Sequence, residues 1–155
     1  MTIDGDEVTV WGKAAHCPII YLHVFEGNGE DVWMRCQGLD CPPFSLVAVW
    51  VPDWDDAMSP WPCESISGDG RSCGGHAADQ LALLTSRIMP KVEATVGTPP
   101  WSGVVGYSLA GLFAAWTPYA TGAFARMASV SGSLWYPGFL DFAREHGFVR
   151  TPDRA

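Results

Sequence analysis

Positive charge is scarce in this sequence. Nine Lys and Arg stand against 17 Asp and Glu among 155 residues, for a formal net charge of −8. A surface of that sign repels phosphate backbones, which argues against nucleic-acid binding. Long apolar runs are missing as well. None reaches the roughly 18 residues that a membrane span needs, so no membrane association is expected. The first residues, MTIDGDEVTVWG, are acidic and lack the basic and apolar regions of a secretory signal. There is no CxxC pair. Cys17, Cys36, Cys41, Cys63 and Cys73 are odd in number and fit no disulfide framework. The expectation is a cytoplasmic protein with reduced thiols and no cofactor. Zinc is the alternative near Cys63, Cys73 and His76, but Cys73-x-x-His76 is a thin signature, and no metal is expected.

What the chain does have is apolar content: 48% of its residues are hydrophobic and 17% charged. That supports one domain, residues 1–155, with a core of its own. PIIYLHV (Pro18 to Val24), SLVAVWV (Ser45 to Val51) and GVVGY (Gly103 to Tyr107) are nearly continuous apolar runs, the pattern of strands buried on both faces. RMASVSG (Arg126 to Gly132) reads as a weaker fourth strand, and VTVWG near the start as an edge strand. Helices are expected over Glu30 to Gln37, ending at Gly38, and over His76 to Gly97. In the latter, Leu81, Leu84, Ile88, Val92 and Val96 share one face. Pro90 should kink or break that helix. Another helix is expected from Leu109 to Thr117, stopped by Pro118, and a last one from Pro137 to Gly147. Strands alternating with helices imply βαβ units and a mainly parallel sheet with helices on both faces, an α/β fold.

VVGYSLAGLFAAW (Val104 to Trp116) sets one hydroxyl at the junction of a buried strand and a helix. A serine hydroxyl is a poor nucleophile unless a base removes its proton and substrate can reach it. The G-x-S-x-G elbow solves the access problem by placing the serine at the apex of a sharp strand-to-helix turn. Gly106 and Ala110 take the two small flanking positions, and Gly111 lets the helix approach the sheet. The plainer reading is a serine that caps a helix. The strand before it and the helix after it favour the elbow. Ser108 is then the nucleophile, and the backbone N–H of Leu109 would face a developing oxyanion. A second donor should come from the loop after an earlier strand, here the backbone N–H of Val24 or Phe25. His23, at the end of that strand, is read as satisfied by backbone rather than as a base.

These segments resemble a known group. GYSLAGLFA followed by ASVSGSLWYPGF, with PIIYLHVFEG before them, is similar to the esterase family of α/β-hydrolases related to esterase D and the enterochelin esterases. The resemblance covers roughly residues 18 to 150, with Ala110 where the group more often has glycine. It implies a Ser–acid–His triad in that chain order, with Ser108 as nucleophile acting on a carboxylic ester. It also implies an acid after the next strand and a histidine in a late loop. Nothing after FVRTPDRA supplies them, so the chain looks like the N-terminal part of a longer hydrolase. His16, His76, His146, Asp141 and Asp153 are not placed as base or acid.

Other segments offer substrate contacts. WVPDWDDAMSPWPC begins at the C-terminal end of a strand, the edge where open α/β sheets bind ligands. Asp53, Trp54, Met58 and Trp61, with Tyr107, are the candidate pocket, the alternative being that these aromatics cover the core. Asp53, Asp55 and Asp56 read as a surface acidic turn rather than a cation site. The glycine-rich SGDGRSCGG (Ser67 to Gly75) lacks the ending of a phosphate loop and reads as a connection. The expected partner is a small-molecule ester. The alternative function is a truncated, inactive remnant that binds or self-associates through an uncovered sheet edge.

Overall fold

A computed structural model describes residues 1–12, 15–64 and 72–150. Six strands form one sheet: β1 (Thr2–Ile3), β2 (Asp6–Trp11), β3 (Ile19–Val24), β4 (Ser45–Trp50), β5 (Ser102–Tyr107) and β6 (Arg126–Val130). Their order is β1-β2-β4-β3-β5-β6. β4, β3, β5 and β6 are parallel, and β1 and β2 join as an antiparallel pair beside β4. The apolar runs therefore became the parallel strands, as their composition requires. The strand in VTVWG exists but lies one position inside the edge, because the two-residue β1 pairs with its outer side. The opposite edge is β6.

The helices are α1 (Glu30–Gln37), α2 (Trp54–Ala57), α3 (Ala77–Leu83), α4 (Met89–Val96), α5 (Leu109–Ala120) and α6 (Phe139–Glu145). Leu81, Leu84, Ile88, Val92 and Val96 are all buried, as their spacing predicts. Pro90 does not break the run. A single π turn, Leu84–Ile88, joins α3 to α4, and the Met89 N–H reaches back to the Leu84 carbonyl. The wider turn absorbs the proline without ending the helix. Pro118 does not stop α5 either, which continues two residues beyond it to Ala120. The N–H that proline lacks would have bonded to the Ala114 carbonyl. The Thr117 hydroxyl donates to that carbonyl instead, at 2.9 Å, so the acceptor is not orphaned. Among the described residues no helix is long and apolar enough to cross a membrane.

The two faces of the sheet are covered unequally. Side chains alternate along a strand, so Tyr21, Val47, Val49 and Val104 share one face. They join Leu84, Ile88, Val92, Leu112 and Phe113 in the main core. On the other face, Gly29 at the head of α1 abuts Leu46 and Ala48, yet α1 itself buries no residue. Toward β6 the cover ends. Val105 is half-buried, while Tyr107, its register partner Val130, and Ala128 are exposed. Leu112 sits at the centre of the covered face with no exposure. Leu112→Ala should therefore lower the unfolding free energy by about 2–5 kcal/mol. Urea denaturation followed by tryptophan fluorescence measures the loss.

Candidate active site

At the end of β5 the backbone is forced into an uncommon shape. Ser108 has φ 56° and ψ −117°, between the last strand residue and the first turn of α5. A non-glycine residue held at positive φ costs roughly 1–3 kcal/mol and persists only where its surroundings over-determine it. Those surroundings are visible. The Ser108 N–H donates to the Val130 carbonyl at 3.1 Å, and the Ser108 carbonyl accepts from both Leu112 (3.1 Å) and Ser133 (2.9 Å). β6 and the loop after it thus clamp the turn from outside. Gly106 is required by space, since a Cβ there would overlap the Ala110 backbone. A Cβ on Gly111 would lie 2.7 Å from the Gly132 Cα, so that glycine lets α5 meet the loop after β6. The elbow anticipated from G-x-S-x-A-G is present as a geometry, and the alternative of a serine side-chain cap is not. Ser108 makes no side-chain cap hydrogen bond to α5.

Ser108 opens into a cleft of about 740 Å³. Leu109, Val24, Phe25, Trp54 and Tyr107 line the same cleft, so five of the residues singled out beside the serine are brought to it. Leu109 is the first residue of α5, where a backbone N–H has no partner within its own helix. Val24 is the last residue of β3 and Phe25 follows it, which places both at the same sheet edge as Ser108. Trp54 meets Phe25 edge-on, with ring centroids 5.5 Å apart.

Three anticipated pocket residues lie elsewhere. Met58 has no exposure and belongs to the core beneath α2. Its amide closes the α2 turn onto the Trp54 carbonyl, which swings the flexible thioether inward. Trp61 packs on Tyr136 and Phe142 and donates to the Pro137 carbonyl at 2.9 Å. It fastens its loop to the start of α6 rather than facing the serine. Asp53 precedes α2 and lines two neighbouring cavities, one with Asp4, Asp6, Asp56 and Asp79. Sequence places these residues on one loop but cannot say which side of a four-residue helix faces the cleft. The cleft also contains Glu26, Asp31, Val32, Asp55, Ser133 and Trp135. The S-x-S-x-W segment was the signal for the last two, since it must return to the elbow. The acidic three carried no motif.

His23 is not satisfied by backbone, as its strand-end position suggested. It is 3% exposed, with its ring 4.8 Å from that of Phe113. Its Nε2 lies 3.3 Å from the Gln80 Nε2, and that same amide nitrogen donates to Asp6 at 2.7 Å. An amide nitrogen only donates, so the His23 Nε2 accepts and the ring proton sits on Nδ1. Nδ1 has no hydrogen-bond partner among the described residues. Burial pushes the His23 pKa down from 6.5 to about 3, so the ring is neutral. Burial raises the Asp6 carboxyl, against a smaller lowering by the Gln80 hydrogen bond. His76 heads α3 and pairs with Asp79 at 3.1 Å. His146 ends α6, exposed and stacked on Phe142. His16 is exposed, and Asp141 pairs with Arg144. His23 lines the serine's cleft, whereas His16, His76, His146 and Asp141 do not. Asp153 and most of the glycine-rich segment lie outside the described residues, although the Gly74 amide is held by Asp56 at 2.6 Å. Cys63 and Cys73 pair through their backbones and their thiols are free. No group of three or more metal-ligating side chains occurs among the described residues.

No protein-family model matches the chain. It is 28% identical over 128 residues to the uncharacterized protein YbbA of Bacillus subtilis, covering 77% of this chain and 51% of that protein. Among solved structures it is similar to an IroE-like serine hydrolase from Shewanella oneidensis, with a TM-score of 0.74 and 20% identity, over 90% of this chain and 50% of that one. It is similar as well to the siderophore hydrolase EstA of Aspergillus nidulans, at 0.68 and 17%, over 90% and 58%. The enterobactin esterase FES of Shigella flexneri follows at 0.62 and 19%, over 90% and 39%. The fold is that of the α/β-hydrolases. The chain spans about half the length of the relatives it matches.

The neutral, buried imidazole makes stability depend on pH. Above pH 6.5 neither state binds a proton at His23. Below it the unfolded chain does, while the folded chain holds off until about pH 3. Stability from this residue is therefore complete above pH 6.5 and lost as pH falls toward 3, by up to about 1.4 kcal/mol per unit. Asp6 has the opposite sign: its raised carboxyl favours the fold at low pH, and that share is lost as pH rises through its folded value. Replacing His23 by Phe isolates the imidazole. Between pH 7 and 4.5 the parent should lose roughly 2–3 kcal/mol more than His23→Phe in urea titrations. Equal losses would show that the ring is not held neutral.

Proposed function

We propose that the chain carries the nucleophile half of a serine hydrolase that cleaves carboxylic esters, with Ser108 forming an acyl-enzyme. The observation that carries this reading is the clamped, positive-φ Ser108 at the mouth of the cleft. Ser108 Oγ attacks the ester carbonyl carbon, its proton passes to a base, and the alcohol leaves with a proton. Water then cleaves the acyl–serine bond and releases the acid. The backbone N–H groups of Leu109 and of Val24 or Phe25 take the negative charge of each tetrahedral intermediate. The names of the neighbours, siderophore hydrolases and an enterobactin esterase among them, support ester cleavage as the reaction class. The cytoplasm is the proposed location, in keeping with five free thiols.

A second reading has its own observation. Among the described residues the Ser108 hydroxyl has no histidine or carboxylate bonded to it, and the matched hydrolases are about twice as long. Without an acid and a base, only the residual catalysis of an oxyanion hole remains. On this reading the chain is an incomplete hydrolase that binds through the site or associates with itself along β6. The exposed Val130 and Met127 on that edge strand support association.

A fluorophosphonate probe separates the readings, because phosphonylation reports an activated serine. The catalytic reading expects one adduct per chain by intact mass, absent from Ser108→Ala. Folded protein that stays unlabelled for hours would exclude it for this chain. For the edge, light scattering after size exclusion should show a concentration-dependent dimer or larger species, shifted toward monomer in Val130→Lys. A monomer at all concentrations would remove self-association.

A further inference from the structure

Among the described residues, the charged side chains lining the cleft around Ser108 are all carboxylates. Glu26, in the turn after β3, and Asp31, in the first turn of α1, both line it and are both exposed. Asp55 lines it too, although it holds an interaction of its own. Among the described residues no Lys or Arg reaches the cleft. Arg87 pairs with Asp4, Arg144 with Asp141, and Arg126 stacks on Trp101 at the other end of the sheet. The one imidazole present, His23, is neutral at physiological pH. Glu26 and Asp31, with no Lys or Arg among the described residues of the cleft, favour a substrate that brings the opposite charge.

The apolar lining points the same way. Phe25, Tyr107 and Trp135 stand 63%, 65% and 63% exposed around the serine, with Trp54 edge-on to Phe25. Large rings left open to water mark a binding surface. Their faces carry negative potential, and aromatic rings beside carboxylates form the usual recognition surface for quaternary ammonium groups. His23 also lines this cleft, and its buried Nδ1 has no hydrogen-bond partner among the described residues.

We infer that the cleft selects esters carrying a fixed positive charge, such as esters of quaternary amino alcohols, over neutral or anionic ones. Phe25, Trp54, Tyr107 and Trp135 would cover the cationic head, Glu26 and Asp31 would set the local potential, and the ester carbonyl would face Ser108. This inference names the substrate class of the site proposed above and rests on Ser108 marking it.

The test uses binding in the Ser108→Ala chain, so that turnover does not intrude. Butyrylcholine, its uncharged isostere 3,3-dimethylbutyl butyrate, and an anionic half-ester, monobutyl succinate, are titrated against tryptophan fluorescence. At low salt the choline ester should bind about tenfold more tightly than the isostere. The anionic ester should bind weakest. The preference should shrink to about threefold or less in Glu26→Gln/Asp31→Asn, and also in 0.5 M salt, close to where screening reaches a few ångströms. Trp135→Leu should weaken the choline ester more than the isostere. Equal binding of charged and uncharged esters, or tighter binding of the anionic one, would overturn the inference. The outcomes are separable from those of the labelling experiment. A cationic preference with no labelling at Ser108 would keep the inference and end the hydrolase reading, while labelling without the preference would do the reverse.

Discussion

The fold's chemistry depends on how closely α5 lies against β5 and the loop that leaves β6. Three glycines make that approach possible, Gly106 inside the turn and Gly111 against Gly132, where any added carbon meets backbone or the Ser129 hydroxyl. Once α5 is that close, the Ser108 amide and carbonyl can bond outward to Val130 and Ser133. Those bonds hold the residue at a φ it would not otherwise keep. The strain is local, but its support is distributed over two strands, a helix and a loop. This is how a weakly polar junction comes to present one hydroxyl to solvent.

The same packing explains why the sheet is lopsided. α5 and the α3–α4 helix crowd onto one face and bury Tyr21, Val47, Val49 and Val104 almost completely. The other face relies on α1, which buries none of its own residues and whose leading glycine abuts Leu46 and Ala48 of β4. Parallel strands are normally covered on both sides. Here Val130 and Tyr107 are paired in register and open to water. The bare region begins at the serine's cleft, and the matched hydrolases have about as much chain again. The bare part of the sheet and the serine's cleft therefore meet at one edge.

Much of this was legible in the sequence. Buried parallel strands have a plain signature, and β3, β4 and β5 fall where their apolar runs predict. Helix α1 has the predicted bounds, and the elbow followed from small residues around Ser108. The prolines misled for a physical reason. A proline removes one donor, but a π turn before Pro90 and the Thr117 hydroxyl beside Pro118 supply alternatives that a one-residue rule does not see. His23 misled in another way. Its partner, Gln80, is 57 residues away, beyond any local pattern. The loop after β4 reaches the Ser108 cleft through Trp54, while Met58 and Trp61 turn toward the core and α6, a division that no local pattern encodes.

The sequence alone determined the alternation of strands and helices, the parallel sheet and the position of Ser108. Each is set by local periodicity or by small residues at fixed offsets, which act over a turn or less. Tertiary structure alone decided which side chains share the serine's cleft. Glu26 follows β3, Asp31 lies in the first turn of α1, and Ser133 and Trp135 follow β6, and only the order of β3, β5 and β6 brings these segments to one edge. It also decided the charge state of His23, since a pKa is set by burial and neighbours, and both are properties of the packed molecule rather than of the chain.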